Sequence, residues 1–196
     1  TEVTVIVLNN IALFNGHADH SCGDACVAFA DGRIIYAGPR EGSPSLDDGA
    51  QVIDGHGHFV MPGMVESHAH LSYTNNGPLE LDKSPVEEVV IKTIHNARVM
   101  LGSGFTSAIS FGSVHRVDAF LKRGIECGDV LGPRLLAGGR DIGSTGSNAD
   151  LHPDYAQLKI DGLGMITDGP WEVRKAVRTL SKNCLLYTSP SPRDTG

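Results

Sequence analysis

From Pro62 onward the chain alternates strand-like and helix-like segments three times, and no other feature constrains its fold so tightly. Met64 to Leu71 is an apolar-led strand. Val86, Val89, Val90, Thr93, Ala97, Met100 and Leu101 recur at three- and four-residue spacing, which predicts a helix of about 17 residues ended by Gly102 and Gly104. Ser84, Pro85 and Glu87 read as its start, with a hydroxyl cap, a proline at the first helical position and a glutamate completing a capping box. Phe105 to Ser110 reads as a buried strand, Val117 to Ile125 as a second helix stopping near Gly128, and Pro133 to Ala137 as a third strand. Pro170 to Leu180 reads as a third helix, with Asp168 and Gly169 as its capping residues. Strand and helix in alternation mean parallel βαβ units with right-handed crossovers. The expected fold class is therefore α/β.

The first sixty residues read differently. Val3 to Leu8 and Ile11 to Phe14 predict two short strands joined by a turn at Asn9-Asn10. Val27 to Ala30 and Arg33 to Ala37 flank Asp31-Gly32, a strong hairpin signal. Gln51 to Asp54 and His58 to Met61 predict further strands around Gly55-His56-Gly57. Residues 1–61 are thus expected to form the first part of a small β-sandwich, and residues 62–183 the first three βα units of a larger parallel structure. The run CLLYTSPSPRD at 184–194 resembles one reading frame of a transposon-end sequencing adapter. Residues 184–196 are accordingly expected to be read-through and to lie outside the fold.

Composition excludes several functions. The chain is 40% hydrophobic and 20% charged, a globular balance. Its net charge of −7 and lack of a Lys/Arg cluster argue against a nucleic-acid partner. No apolar run approaches the roughly 18 residues of a membrane span, and the opening residues lack signal-peptide order, so a cytoplasmic protein without membrane partners is expected. Four scattered cysteines fit a reducing compartment better than a disulfide framework. Cys22 and Cys26 have a metal-like spacing but no second pair behind them, and are expected to be structural. His17 and His20 are expected to be solvated loop residues.

Chemistry concentrates in Glu66-Ser67-His68-Ala69-His70. Side chains alternate along a strand, so His68 and His70 project to the same side about 7 Å apart along the backbone, and one cation can meet both imidazoles. A second pair, His56 and His58, lies among glycines where nothing fixes the rings, and is not expected to ligate. The first pair sits at the carboxyl end of a strand opening a βα series, which is where such folds bind ligands.

Val52-Ile53-Asp54-Gly55 followed by Met61-Pro62-Gly63-Met64-Val65-Glu66-Ser67-His68-Ala69-His70 resembles the signature of the amidohydrolase superfamily. Gly104 to Ser107, Gly132 to Arg140 and Asp168 to Val177 resemble its imidazolonepropionase-related and prolidase-like branch, and the resemblance runs from residue 3 to 183. It implies a β-sandwich built from both chain ends, joined to a (β/α)8 TIM barrel holding one or two divalent metals, commonly zinc. It makes His68 and His70 the first two ligands, and implies a metal-activated hydroxide that hydrolyses the C–N bond of an amide, dipeptide or cyclic amide. The remaining ligands are a carboxylated lysine or glutamate after the fourth strand and two later histidines. They and the aspartate serving as general base are expected beyond residue 183. Lys159 precedes the third helix, where that lysine should follow it, and is expected to be an ordinary loop residue.

A full barrel takes roughly 250 residues, so the 120 or so here supply about three of its eight units. An isolated chain with an unpaired sheet edge is expected to aggregate and to be inactive. Two alternatives stay open: a mononuclear deaminase of the same superfamily, which lacks the bridging lysine, and a metal-free barrel scaffold, against which the histidine pair argues. The long Gly138–Gly169 loop should border a small-molecule substrate. Arg140, Ser144, Thr145, Asn148, Asp150 and His152 are candidate contacts, with Arg140 suited to a bidentate grip on a carboxylate or else tied to Asp141 or a neighbouring strand. His95 is expected on a helix surface, Trp171 in packing at a helix start, and His115 near the site with no matched motif. Homo-oligomerisation of the full-length protein is left open.

Overall fold

A computed structural model describes residues 4–43, 49–156 and 162–182. Lys159 and residues 184–196 lie outside the described residues. The chain divides into two units, Thr1–Pro62 and Gly63–Gly196.

In the first unit, β1 (Ile6–Leu13), β2 (Cys22–Ala30), β3 (Arg33–Pro39), β4 (Gln51–Asp54) and β5 (Phe59–Val60) form one five-stranded sheet in the order β3-β2-β1-β4, with β5 also paired to β1. β1, β2 and β3 are antiparallel, whereas β4 and β5 run parallel to β1. Asp31 (φ 49°) and Gly32 (φ 69°) make the expected tight corner between β2 and β3. The turn expected at Asn9-Asn10 is instead a β-bulge inside one continuous strand. Asn10 takes φ 54°, the β1–β2 register shifts between Leu8 and Ile11, and its side chain donates to Asp54 Oδ1 at 2.8 Å. Asparagine tolerates the left-handed region in either setting, so the sequence alone does not separate turn from bulge. Cys26 is fully buried beside Val7 and Ala28, and Cys22 packs against Ile11, Leu13 and Ala25. Both thiols are free. Among the described residues this unit is a single layer.

In the second unit, β6 (Met64–Ala69), α1 (Pro78–Lys83), α2 (Val86–Gly102), β7 (Phe105–Ser110), α3 (Val117–Glu126), β8 (Arg134–Leu136), β9 (Asp141–Gly143), β10 (Gly164–Ile166) and α4 (Pro170–Lys182) follow in order. β6, β7 and β8 form a parallel sheet in that sequence. Ala69, Leu71, Ala97, Ala108, Leu121 and Leu135 make its core, with Ile94, Met100 and Ile125 packed alongside. Each buried leucine there contributes about 1.5–3 kcal/mol of transfer free energy. Gly63 is needed where the chain enters β6, because a Cβ would lie 2.0 Å from Thr106 Oγ1. No helix among the described residues is long and apolar enough to cross a membrane.

Two local expectations are corrected. Ser84 does not cap α2: it ends α1, its hydroxyl donating to the Glu80 carbonyl at 3.0 Å, and Pro85 occupies the N-cap. The open carbonyls of α1 reach the hydroxyl first. The Gly138–Gly169 segment is not one structureless loop but holds β9 and β10, paired in parallel. Three-residue strands rich in glycine carry no periodicity to read. At the start of α4, the backbone N–H of Asp168 donates to Glu172 Oε2 at 2.7 Å. The Asp168 carboxylate instead accepts from Thr145 N and Oγ1 at 2.9 and 2.6 Å. Asp168 thus ties the long segment to α4.

A buried carboxylate joins the carboxyl-end loops. Asp118, with no exposed surface, accepts the backbone N–H groups of Gly138, Gly139 and Ala119 at 3.1, 2.9 and 2.9 Å. The Ser113 N–H donates to the Gly139 carbonyl at 2.7 Å. The chain after β7 and the chain after β8 are therefore held in register beside the end of β6.

Candidate metal centre

His68 lies near the end of β6 and His70 one residue past it. Their Nε2 atoms face each other at 3.2 Å, with the rings edge to face at 70°. With metal–nitrogen bonds of about 2.0–2.1 Å, one ion touching both nitrogens would subtend an angle of about 100°, near tetrahedral. His70 Nδ1 sits 3.2 Å from the Gly112 carbonyl, to which its N–H donates, leaving the Nε2 lone pair for a cation. The backbone N–H of His68 donates to Glu66 Oε1 at 3.0 Å. His68 stacks on Phe111 at 4.9 Å and His70 on Tyr73 at 4.3 Å. The donor set and its spacing fit a divalent metal.

The supports come from three elements. Asn96 on α2 donates its amide to the carbonyls of Leu71 and Tyr73 at 2.9 and 2.8 Å, and Ser72 Oγ accepts the Val114 N–H at 3.0 Å. This pins the turn after β6 and keeps the Tyr73 ring against His70. Phe111 comes from the end of β7, where its N–H donates to the Ala69 carbonyl at 2.8 Å.

A cavity of about 540 Å³ opens in front of the pair, lined by His68, His70, Tyr73, Phe111, Asp141, Ile142, Asn148, Ala149 and Leu163. Burial pushes the Asp141 carboxyl above its usual range, against the pull of the two imidazoles. Tyr73 is pushed up to about 12, by burial first and by the Asp141 charge second. Gly112, at φ +77°, makes room for that carboxylate, since a Cβ there would fall 2.5 Å from Asp141 Oδ1. No three His, Cys, Asp or Glu side chains among the described residues form a metal-holding group, so His68 and His70 stand here as a pair.

The other expected site residues separate. Asn148 lines the cavity. Arg140 does not: its guanidinium donates to the Gly164 carbonyl, tying β9 to β10. His152 does not either, and lies half-buried with Nε2 2.6 Å from Asp82 Oδ2. Thr145 binds Asp168, and Asp150 accepts the Gly146 N–H at 2.9 Å. His115 Nε2 is 3.2 Å from the Ser84 carbonyl. His95, His17 and His20 are exposed as expected. Trp171 is not packed: it is 73% exposed, with Arg174 over its ring at 4.5 Å. The sequence reading missed Tyr73, Phe111 and Asp141. The first two stand just after the ends of β6 and β7, a position that marks ligand-facing residues in parallel sheets.

Parallel strands with paired imidazoles at their carboxyl ends define an α/β protein with a candidate metal centre. Residues 59–182 match the model of the amidohydrolase family, and the chain belongs to that family. Imidazolonepropionase of Methylobacterium sp. (strain 4-46) is 25% identical over 117 residues, 55% of this chain and 28% of that protein. The 5-methylthioadenosine/S-adenosylhomocysteine deaminase of Symbiobacterium thermophilum is 56% identical over 43 residues, 22% of this chain and 10% of that protein. Among solved structures, a prolidase complexed with N-methylphosphonate-L-proline superposes with a TM-score of 0.80 at 27% identity, covering 92% of this chain and 45% of that one. A Xaa-Pro dipeptidase with bound methionine gives 0.77 at 25% identity, with the same coverage. The chain thus spans less than half the length of these proteins. The imidazolonepropionase-like and prolidase-like branch read from the motifs agrees with these likenesses.

Proposed function

We propose that these residues are the amino-terminal part of a metal-dependent amidohydrolase that hydrolyses the C–N bond of a small amide, dipeptide or cyclic amide. The observation that carries this reading is the 3.2 Å approach of the two Nε2 atoms at the mouth of the cavity. His68 and His70 would hold the ion, and zinc suits two neutral imidazoles, which bind it without cancelling its charge. Such an ion supplies two things: it lowers the pKa of its water from 15.7 towards about 7, and it polarises the substrate carbonyl.

The chain's own residues prepare that site. The Gly112 carbonyl holds the Nδ1 proton of His70, so that Nε2 is the nitrogen presented. Phe111 and Tyr73 each stack on one ring of the pair and fix its orientation. The Tyr73 phenol, pushed up to about 12, keeps its proton at neutral pH and can donate to a substrate oxygen. Asn148 and Asp141 are polar points in a wall otherwise made by Ile142, Ala149 and Leu163. Two ligands do not complete a catalytic shell. The remaining ligands and the general base belong to later barrel units, and residues 1–196 alone are inactive on this reading. The single sheet of the first unit is then one layer of a composite sandwich. The free thiols of Cys22, Cys26 and Cys127 suit a reducing cytoplasm.

A second reading, deamination, has matches of 56% and 49% identity to two deaminases in its favour. Those matches span 43 and 45 residues, whereas the prolidase and dipeptidase structures cover 92% of the chain. The deciding experiment uses the full-length protein. Xaa-Pro dipeptides, N-acyl amino acids and cyclic amides are assayed beside adenine and adenosine derivatives, with metal content measured in parallel. Metal-dependent hydrolysis of the first group, lost at least 10³-fold in His68→Ala and His70→Ala, is the expected result. Ammonia release from the second group would establish the deaminase, and the absence of both bound metal and turnover on either group would leave only a scaffold.

A further inference from the structure

We infer that Asp82, on α1 and outside the cavity, is a positioning residue that holds the substrate-facing wall of this site. The inference rests on the hydrolase reading above, because it concerns how that site's wall is fixed. Asp82 is 4% exposed, and its two oxygens are shared between distant partners. Oδ1 accepts the backbone N–H of Leu163 at 2.5 Å, and Oδ2 faces His152 Nε2 at 2.6 Å. One carboxylate therefore joins the middle of the segment between β9 and β10, at His152, to its end at Leu163. Leu163 lies in the cavity wall, and its carbonyl accepts the backbone N–H of Asp141, also in that wall, at 3.1 Å. A continuous chain of bonds thus runs from α1 through Leu163 to Asp141.

The neighbouring backbone is shaped around this grip. Gly162 must lack a side chain, since a Cβ would fall 2.0 Å from Asp82 Oδ1. The Gly162 carbonyl accepts the His115 N–H at 3.0 Å, and His115 Nε2 reaches the Ser84 carbonyl at the end of α1. Segments following β7 and β9 both converge on this short helix, which itself follows β6. A buried carboxylate is costly unless both oxygens are bonded. An apolar residue would pack α1 more cheaply, but could not fix the height of Leu163 or the path of the chain past His152.

The test compares Asp82→Ala, Asp82→Asn and His152→Gln with wild type in the full-length protein. Four quantities are read: kcat, KM, metal content, and amide exchange at Leu163 and Asp141 against the buried core amide of Ala97. Asp82→Ala should raise KM tenfold or more with kcat within threefold and metal content unchanged, and Asp82→Asn and His152→Gln should fall between. The Leu163 and Asp141 amides should exchange at least tenfold faster while Ala97 does not change. KM within twofold of wild type with unaltered wall exchange overturns the inference. So does activity that merely tracks the folded fraction at constant KM, the mark of a purely structural carboxylate. If wild type shows no metal-dependent turnover the hydrolase reading fails, and the exchange comparison still decides whether Asp82 holds the wall. If Asp82→Ala does not fold, the same readouts on Asp82→Asn and His152→Gln decide it.

Discussion

His70 meets the Gly112 carbonyl through Nδ1 and His68 through Nε2, so Gly112 serves the site twice: its carbonyl orients the His70 ring and its missing side chain admits Asp141. Gly112→Ala forces a side chain into a left-handed backbone and against that carboxylate. It should cost about 1–3 kcal/mol of stability, seen as a lowered melting temperature, and should raise KM as Asp141 is displaced. A second residue-scale prediction concerns pH. Hydrogen bonds from the Thr145 side chain and backbone hold the Asp168 carboxyl below its usual range. A lowered folded pKa stabilises the fold above the ordinary aspartate value of about 3.9, and that contribution is lost as pH falls through the lowered value. The melting-temperature gap between wild type and Asp168→Asn should therefore be constant near neutrality and close in strongly acid solution. At this scale the histidine pair was legible because its spacing and strand context coincide. For Arg140 the sequence left two readings open, and its bond to the Gly164 carbonyl is the strand-tied one, while His152 turns from the cavity to Asp82; polar side chains in a loop look alike in sequence whether they face a cavity or a neighbouring group.

Among the elements, the buried Asp118 at the start of α3 does what a loop sequence does not announce: it binds the backbone of the connection after β8 at two successive residues. Asp118→Ala leaves three N–H groups, two of them buried, without an acceptor and should lower stability by about 3 kcal/mol, measurable as a shifted urea midpoint. α2, α3 and α4 were readable because each repeats its apolar positions over several turns. β9 and β10 were not, being three residues each and held by a hydrogen-bond ladder with no hydrophobic face of their own. The Asn9-Asn10 bulge and the reassignment of Ser84 have one cause. A small polar residue serves several local geometries, and the partner that selects one of them, Asp54 or the Glu80 carbonyl, is a matter of folded structure.

Considered as a whole molecule, the described part of the parallel sheet ends at β6 on one side and β8 on the other. Val65 in β6 is 62% exposed and Leu136 in β8 is 45% exposed. Apolar side chains on strands with open edges invite association. Residues 1–196 expressed alone should self-associate in size-exclusion chromatography, whereas the full-length protein should elute as one defined species. A monodisperse, cooperatively melting and catalytically active 196-residue chain would contradict the partial-barrel reading. The metal assignment is tested most directly by diffraction at the metal's absorption edge from crystals of the full-length protein. One anomalous peak within about 2.0–2.2 Å of the Nε2 atoms of both His68 and His70 is the expected result. A peak elsewhere, or two rings turned away from a common point, would contradict the assignment of this pair as ligands.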